Sequence, residues 1–319
     1  MLRLACAVLA AAAVLTACSS GVDTTRSVSA RTTVATAATG GDSGPVDPAF
    51  AEAKLRAVDP CGLLDTKLLG NVGTPGGKPS GDPFRGCQAT VTVNGQQLSV
   101  TVTLGDAVPE WDRDAIPLDG MRVLEARQNT SCTDKAVTQS SPTRAIVVRT
   151  EAKGGGEPCA TGRQVLSGVI ARIRTAPPQI QAGSSVVAGT DPCTLIDKAT
   201  VTSIVGPQPR LDSESLYDCA WRQNGITLEV YAKIGLDPAV PGFDTPPTPV
   251  DLGGVSAYRS DTSTAYPSCT VQWADRPLSQ QRGEIVTVYV ANGQKIAGFD
   301  TCGQAVAAGK IVAAKLPKS

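Results

Sequence analysis

Eight cysteines between Cys61 and Cys302 are the residues that carry the clearest chemical signal in this sequence. They form two sets of four, and the sequence contains neither a Cys-x-x-Cys motif nor a histidine. Thiolate metal sites and thiol catalysis ordinarily use such partners, so the cysteines are predicted to form disulfides. The first set is Cys61, Cys87, Cys132 and Cys159, and the second set is Cys193, Cys219, Cys269 and Cys302.

Within each set, we expect the first cysteine to pair with the second and the third with the fourth. Each pair then joins a terminal helix to the sheet that it covers, and closing such a loop stabilises a fold by about 3–4 kcal/mol in the chain-entropy model. Spacing alone leaves the other pairings within each set open. The expected disulfides are Cys61–Cys87, Cys132–Cys159, Cys193–Cys219 and Cys269–Cys302.

A further cysteine, Cys18, lies at the end of a predicted export signal. The apolar run Leu4 to Leu15 is too short to span a bilayer and leads into Thr16-Ala17-Cys18, which matches a bacterial lipobox. Residues 1–17 are therefore predicted to be a lipoprotein signal peptide, with lipid attached to Cys18. The mature chain is then held on the extracytoplasmic face of the cell membrane. The alternative is an ordinary secretory signal in which Cys18 is incidental.

The absence of histidine and the balance of charge exclude several classes of function. Without histidine, Ser-His-Asp catalysis, Cys-His catalysis and histidine metal sites are impossible. The sequence also lacks a Gly-x-Ser-x-Gly elbow, a Walker A loop and a Ser-x-x-Lys motif. Basic and acidic residues number 29 each, so no basic field attracts nucleic acid. We predict no catalytic residue, no metal, no cofactor and no nucleic-acid partner.

The part of the chain that carries the eight cysteines is a tandem duplication. The two copies open with the matching segments Asp59–Asp65 and Asp191–Asp197, and the second cysteine follows the first at the same interval in each. Each copy then reaches an Asn-Gly pair, Asn94-Gly95 or Asn224-Gly225, between alternating apolar runs. Such a pair is the strongest short-range hairpin signal, because both turn residues need a positive φ.

Each copy is predicted to be a small α+β domain. Asp59 and Asp191 suit helix N-caps, since a proline follows each of them. The last cysteine of each copy precedes an apolar stripe with helical spacing, Val165–Ile173 or Val306–Leu316, as in a helix packed on a sheet. The predicted order is a helix, about five mostly antiparallel strands, and a helix.

Composition predicts the boundaries between these parts of the chain. The lipidated cysteine and a flexible tether rich in Ser, Thr, Gly and Pro occupy residues 18–52. The first four-cysteine domain is predicted over 53–175 and the second over 190–319. A Pro-Pro pair and a Gly/Ser stretch mark residues 176–189 as a linker.

The three tryptophans differ in their predicted surroundings. Trp221 follows Cys219 by two residues in a strand, so both face the same side, and Trp273 also lies in a strand. Both are predicted to be core residues. Trp111 lies in a loop rich in Pro and Asp, which makes it the weak candidate for a ligand-binding residue.

These landmarks resemble a known family. A lipobox, a polar tether and Asp-Pro-Cys-x-Leu-[Leu/Ile] opening a four-cysteine domain are similar to the actinobacterial lipoproteins grouped as domain of unknown function 3558. There is also a distant similarity to the extracellular sensor domains of some actinobacterial Ser/Thr receptor kinases. The resemblance covers 53–175 and 190–317, and the second copy, with Cys219-Ala220-Trp221, matches better than the first, with Cys87-Gln88-Ala89. It implies a cell-envelope lipoprotein and transfers no catalytic residue.

Two functions remain in competition. The first is a non-catalytic binding module that holds an envelope ligand (a lipid, glycan, peptide or small solute) between sheet and helices or between the copies. The alternative is an accessory or structural protein that binds another envelope protein. An enzyme would need paired carboxylates or a Ser–Lys pair, and no spacing singles one out. A deep apolar pocket with a few polar groups favours the first, and a flat exposed apolar patch favours the second.

Overall fold

The computed structural model describes residues 47–108, 115–154, 157–181, 185, 187–240, 247–261 and 265–317. These residues form two antiparallel sheets with helices packed on them, and each sheet carries two disulfides. The predicted α+β fold class is therefore confirmed. The predicted signal peptide, Cys18 and Trp111 lie outside the described residues.

The first copy consists of short helices, one sheet and a long closing helix. A short 3-10 helix, Pro48–Phe50, precedes the helices α1 (Glu52–Arg56), α2 (Pro60–Leu63) and α3 (Thr66–Val72). The strands are β1 (Thr74–Pro75), β2 (Ser80–Asp82), β3 (Gly86–Val93), β4 (Gln96–Ala107), β5 (Ala115–Leu118), β6 (Met121–Gln128), β7 (Ser131–Ser140) and β8 (Thr143–Ala152). The closing helix is α4 (Pro158–Thr175).

The second copy repeats this order. A 3-10 helix, Pro192–Thr194, precedes α5 (Lys198–Val205), and α6 (Thr301–Lys315) closes the copy. The strands are β9 (Arg210–Asp212), β10 (Asp218–Gln223), β11 (Ile226–Leu236), β12 (Thr248–Asp251), β13 (Ser256–Asp261), β14 (Ser268–Pro277) and β15 (Arg282–Asn292).

The two sheets share one topology. The strand order is β1-β3-β4-β8-β7-β6-β5 in the first copy, with β2 also paired to β3, and β9-β10-β11-β15-β14-β13-β12 in the second. The sheets have eight and seven strands instead of about five, because short edge strands extend them. The Asn-Gly pairs form the predicted hairpin turns, with φ of 50° and 78° at Asn94 and Gly95 and of 48° and 74° at Asn224 and Gly225.

The predicted caps start the short helices of both copies. The carboxylates of Asp59 and Asp191 accept a hydrogen bond from the backbone N–H two residues later, at 2.9 and 3.0 Å. Those of Asp65 and Asp197 accept from the N–H three residues later, at 2.8 and 2.9 Å. Each bond satisfies one donor that the first turn of a helix leaves open.

The disulfides join the expected pairs. Cys61–Cys87 and Cys193–Cys219 connect the helical turn that follows each Asp-Pro pair to the first strand of the Asn-Gly hairpin. Cys132–Cys159 connects the start of α4 to β7, and Cys269–Cys302 connects the start of α6 to β14, with a Cα–Cα distance of 5.0 Å in both. Each closing helix is thus fixed to its sheet at the N-terminal end.

The two copies pack directly against each other. Leu216 and Tyr217, in the loop between β9 and β10, belong to the buried core of the first copy. The loop approaches a β-bulge of β4, where Gly105 has a φ of 70°. A Cβ on Gly105 would overlap the Leu216 side chain. Glycine is therefore required here both for the backbone conformation and for the close approach of the second copy.

Two buried arginines of the first copy complete this contact. Arg144 donates to the backbone oxygen and Oγ of Ser213, at 3.0 and 2.9 Å, and to a carbonyl of the β4 bulge at 3.2 Å. Arg56 donates to the backbone oxygen of Leu216 at 3.1 Å and lies 3.3 Å from a carboxylate oxygen of Asp191. Each of these bonds gives a buried polar group of the loop a partner from the first copy, so together they hold the loop in position.

The boundaries differ from the predicted ones at two places. The predicted tether extends to residue 52, but Asp47 already caps a helical turn and Phe50 is buried in the first core. The predicted linker is held by the first copy: Asp59 N–H donates to the Pro178 oxygen, and Ile180 N–H donates to the Ala57 oxygen, at 2.8 and 2.9 Å. Composition gave no sign of either contact, because both depend on distant residues.

Replacing Arg144 with methionine tests the packing between the copies. We expect a loss of about 2–4 kcal/mol in the free energy of unfolding, because buried carbonyls lose their donor. Urea unfolding followed by circular dichroism measures it. Arg210→Met is the matched control: Arg210 pairs with Asp212 on the surface, with 74% of its side chain exposed, and a change within about 0.5 kcal/mol is expected. Equal effects of the two substitutions would contradict a stabilising contact through Arg144.

Candidate functional site

A cavity of about 740 Å³ in the second copy is the candidate site. It lies where the last turn of α6, the loop between β12 and β13, and the end of β14 meet. Most of the lining side chains are apolar, and two polar groups stand among them. The lining includes the apolar side chains of Leu252, Val255, Ala313 and Leu316 and the polar groups of Trp273 and Asp275.

The two polar groups are shielded from water and face each other. Trp273 is 1% exposed, and Oδ2 of Asp275 is also inaccessible to water. The indole N–H acts as a hydrogen-bond donor to the Asp275 carboxyl and lowers its pKa, although the bond is not of normal geometry. The polar end of the cavity is thus formed by a donor and an acceptor that act on each other.

Burial and a neighbouring acid act on the Asp275 carboxyl. Burial raises the pKa of Asp275, the Trp273 indole N–H opposes the rise, and the negative charge of Glu284 adds to it. Glu284 itself is 1% exposed. The net effect is a raised pKa for Asp275.

A β-bulge places Asp275 at this position. The pairing of β14 with β15 shifts between Ala274 and Arg276, which leaves Asp275 as the extra residue. A bulge reorients the side chain of the residue that has no ladder partner. The equivalent strand of the first copy, β7, shifts between Val137 and Gln139 in the same way.

The equivalent place in the first copy is closed by the chain itself. Phe50 is buried there, and the Arg174 guanidinium, from the last turn of α4, lies 5.4 Å from the centre of its ring. Arg174 also donates to the Asp47 carboxylate and to the Asp119 oxygen, at 2.9 and 2.7 Å. The segment 47–50 thus covers the end of α4.

The second copy differs from the first in three ways at this place. The equivalents of Trp273 and Asp275, counted from the strand cysteine, are Ala136 and Thr138. The segment that precedes the second copy is bonded to the first copy at Pro178 and Ile180. The end of α6 therefore borders a cavity with a donor and an acceptor, where the end of α4 borders a phenylalanine.

A second cavity of about 590 Å³ lies between the copies, and three acids line it, Asp59, Asp82 and the buried Glu284. Two of them have structural roles. Asp59 caps α2, and the Asp82 carboxylate accepts hydrogen bonds from two backbone N–H groups at 2.9 Å. A third cavity of about 620 Å³ lies beside α4. Its one charged lining residue, Arg163, is paired with Glu125.

The described residues also contain a buried acid in the first copy. Asp134 lies on β7 under α4, where a Cβ on Gly162 would overlap its carboxylate. Burial raises the pKa of Asp134 to about 7, the neighbouring Glu125 adds to the rise, and Arg163 opposes it. Glu125 also lies near the sulfurs of Cys132 and Cys159. That group is unsuited to a metal, because the two sulfurs are bonded to each other.

The sequence-predicted site residues are placed as follows. All eight disulfide cysteines are described and paired as expected, and Trp221 and Trp273 are core residues, 8% and 1% exposed. Cys18 and Trp111 lie outside the described residues, so their predicted roles stay predictions. Sequence reasoning missed Asp275, because nothing in the pattern of β14 signals the bulge that sends it toward Trp273.

Comparisons with known proteins add little. No family model matches the chain, and no curated protein matches it. One solved structure, described as "DynU16 crystal structure, a putative protein in the dynemicin biosynthetic locus", aligns with 82% of this chain and 90% of its own. The identity is 10% and the TM-score is 0.18, which is too low to transfer fold or function. The resemblance to the actinobacterial lipoproteins stays a prediction. Across the described residues, every helix is too short or too polar to cross a membrane.

Replacing Phe50 with alanine should open the closed place in the first copy. We expect a loss of about 3–5 kcal/mol in the free energy of unfolding, because a fully buried aromatic side chain leaves a cavity. Urea unfolding gives the value. The control is Leu211→Ala, whose side chain is 51% exposed, with an expected change within about 0.5 kcal/mol. A Phe50→Ala protein as stable as the wild type would show that segment 47–50 does not hold the copy together.

The buried acid predicts an unusual dependence of stability on pH. Asp134 has an ordinary pKa of 3.8 in the unfolded chain, and its pKa in the folded state is about 7. The folded state therefore retains the proton over this pH range. The folded state therefore loses stability as pH rises between these values. Asp134→Asn removes this loss, so its melting temperature should match the wild type near pH 4 and exceed it increasingly up to pH 7. Scanning calorimetry measures both.

The control for this titration is Glu157→Gln, at the N-cap of α4, the helix that covers Asp134. Glu157 pairs with Arg127 on the surface, with 72% of its side chain exposed. Its substitution should leave the difference from the wild type nearly constant over the same pH range. A constant difference for Asp134→Asn as well would rule out the buried protonated acid.

Proposed function

We propose that this chain is an extracytoplasmic lipoprotein, anchored through Cys18, whose second copy holds an envelope ligand in the cavity under α6 without transforming it. The observation that carries the proposal is the cavity itself, with apolar walls and one polar end formed by Trp273 and Asp275. Its volume of about 740 Å³ is within the range of small-molecule sites, which combine apolar linings with a few polar groups.

The composition of the cavity supports binding over catalysis. Among the described residues that line it, Asp275 is the one titratable group. Acid–base catalysis and nucleophilic catalysis require a second group positioned against the first. A single carboxyl beside an indole N–H instead fixes the orientation of a bound molecule.

The anchor and the location rest on the sequence and on the disulfides. The lipobox at Cys18 predicts the lipid, and four disulfides suit an oxidising compartment outside the cytoplasm. Packing between the copies supports a division of roles. The first copy, closed by its own segment 47–50, positions the second copy, which carries the cavity.

Native mass spectrometry of the full-length protein, extracted gently from its own membrane, tests the proposal. We expect a mature mass that starts at an acylated Cys18 and an additional mass that is lost on denaturation. Ala313→Phe, which places a large side chain in the cavity wall, should remove the additional mass. Ala307→Phe is the matched control, because Ala307 is exposed on the same helix and does not line the cavity.

The outcomes separate the parts of the proposal. An additional mass that survives Ala313→Phe would place the ligand elsewhere, and the cavity would lose its role. A protein with no additional mass would favour the alternative, an accessory protein that binds another envelope protein. A mature chain without the acyl group would overturn the anchor alone.

A further inference from the structure

We propose that the second sheet binds a neutral polysaccharide of the cell envelope on the face that points away from α5 and α6. This surface is named the tyrosine face and is formed by the outward side chains of β13, β14 and β15. It goes beyond the proposed function, because it is separate from the cavity that α6 borders. Its central members are Tyr258, Ser260, Thr270, Gln272, Thr287 and Tyr289.

Alternation along the strands places these side chains on one surface. Val271 of β14 and Val288 of β15 are buried in the core together with Ala308 and Val312 of α6. Successive side chains of a strand point to opposite faces, so the residues on either side of each valine face away from the helices.

The strand register arranges the outward side chains in rows. Tyr258 is the partner of Gln272, Gln272 is the partner of Thr287, and Thr287 is the partner of Tyr231 on β11. This row crosses four strands and is about 14 Å long at the usual strand spacing, which is the length of a short oligosaccharide. The neighbouring row contains Tyr289.

The tyrosines of the chain are concentrated at this face. The sequence has five tyrosines, all in the second copy. Tyr231, Tyr258 and Tyr289 are outward and partly exposed, and Tyr266, which is 41% exposed, is hydrogen-bonded to Tyr289. A tyrosine ring combines an apolar, electron-rich face with a polar hydroxyl. It therefore suits a sugar ring, which presents C–H bonds on its faces and hydroxyl groups at its edge.

Hydrogen bonds hold the side chains of the face in place before a partner arrives. The Gln272 amide donates to Oγ1 of Thr287 at 3.0 Å. The Tyr231 hydroxyl is also hydrogen-bonded to Thr287, and the Tyr289 hydroxyl to Ser268. Side chains that are already ordered lose less conformational entropy when a ligand binds.

The charge distribution favours a neutral partner. The outward positions between 256 and 260, 268 and 274, and 285 and 291 carry no charged side chain. Glu229, the β11 partner of Tyr289, borders the face and would repel an anionic polymer. At the positions of the first copy that correspond to Gln272 and Tyr289, Lys135 and Arg149 stand instead.

The side-chain composition favours a polysaccharide over a protein partner. Protein interfaces have apolar cores, yet the exposed large aliphatic side chains of the described residues all lie outside β13, β14 and β15. Hydroxyl and amide groups fill the space between the tyrosines. Each hydroxyl can donate and accept a hydrogen bond, which matches the hydroxyl groups of a sugar.

Co-sedimentation with purified cell walls of the source organism tests the inference. The protein is the mature chain, residues 18–319, with Cys18→Ser, and the walls are boiled in detergent and digested with protease. We expect saturable binding that persists at about 1 M NaCl, where the Debye length is about 3 Å and contacts between exposed charges are screened. Periodate, which cleaves the vicinal diols of sugars, should remove the binding.

Variants of two tyrosines locate the binding surface. Tyr258→Ala combined with Tyr289→Ala should weaken binding at least about tenfold, because two ring contacts are lost. Tyr258→Phe combined with Tyr289→Phe keeps both rings and should stay within about threefold of the wild type. Arg149→Ala is the matched control, since Arg149 is the exposed first-copy equivalent of Tyr289. It should leave binding unchanged, and circular dichroism checks the folding of each variant.

Several outcomes would overturn the tyrosine face as a polysaccharide site. They are a lack of binding to the walls, full binding by the folded double alanine variant, and binding that about 1 M NaCl abolishes. Binding that resists periodate, or that requires walls not digested with protease, would identify a protein partner instead. Ala313→Phe should leave wall binding unchanged, so the test of the cavity under α6 and the test of this face give independent results.

Discussion

The disulfide that fixes the start of each closing helix to its sheet is the constraint on which the rest of each copy depends. Cys132–Cys159 and Cys269–Cys302 set where α4 and α6 begin and which strand they cover. The opposite end of each helix has no covalent restraint and must be held by packing. In the first copy Phe50 does this, and in the second copy the same region is the candidate site. In the second copy, one end of α6 is thus fixed by a disulfide, and the other end borders the candidate site.

The contact between the copies extends this division. A loop of the second copy enters the core of the first at Leu216, and Arg144 and Arg56 donate hydrogen bonds to backbone oxygens of that loop. The orientation of the second copy is therefore set by buried hydrogen bonds and not by the length of a linker. Because buried contacts join the two copies, the site under α6 has a fixed position relative to the first copy.

The sequence predicts what local chemistry determines. The cysteine spacing gave the disulfides, and the Asp-Pro and Asn-Gly pairs gave the caps and hairpins. What it missed depends on residues far apart in the chain. In the sequence, Phe50 lies at the end of a polar tether, and its burial depends on packing in the first core. The requirement for glycine at position 105 depends on the Leu216 side chain, which packs against it. Trp273 was predicted correctly as core, but its proximity to Asp275 depends on the β-bulge, which the sequence does not signal.

The bulge has a consequence for how the two copies diverged. It occurs at Thr138 in the first copy and at Asp275 in the second, in the same register of the same strand. The backbone that presents Asp275 is thus common to both copies, and the copies differ in the side chains that stand on it. At this place the first copy has Ala136, Thr138 and the covering segment 47–50, and the second has Trp273, Asp275 and a cavity. One backbone geometry therefore accommodates both a closed position and an open one within a single chain.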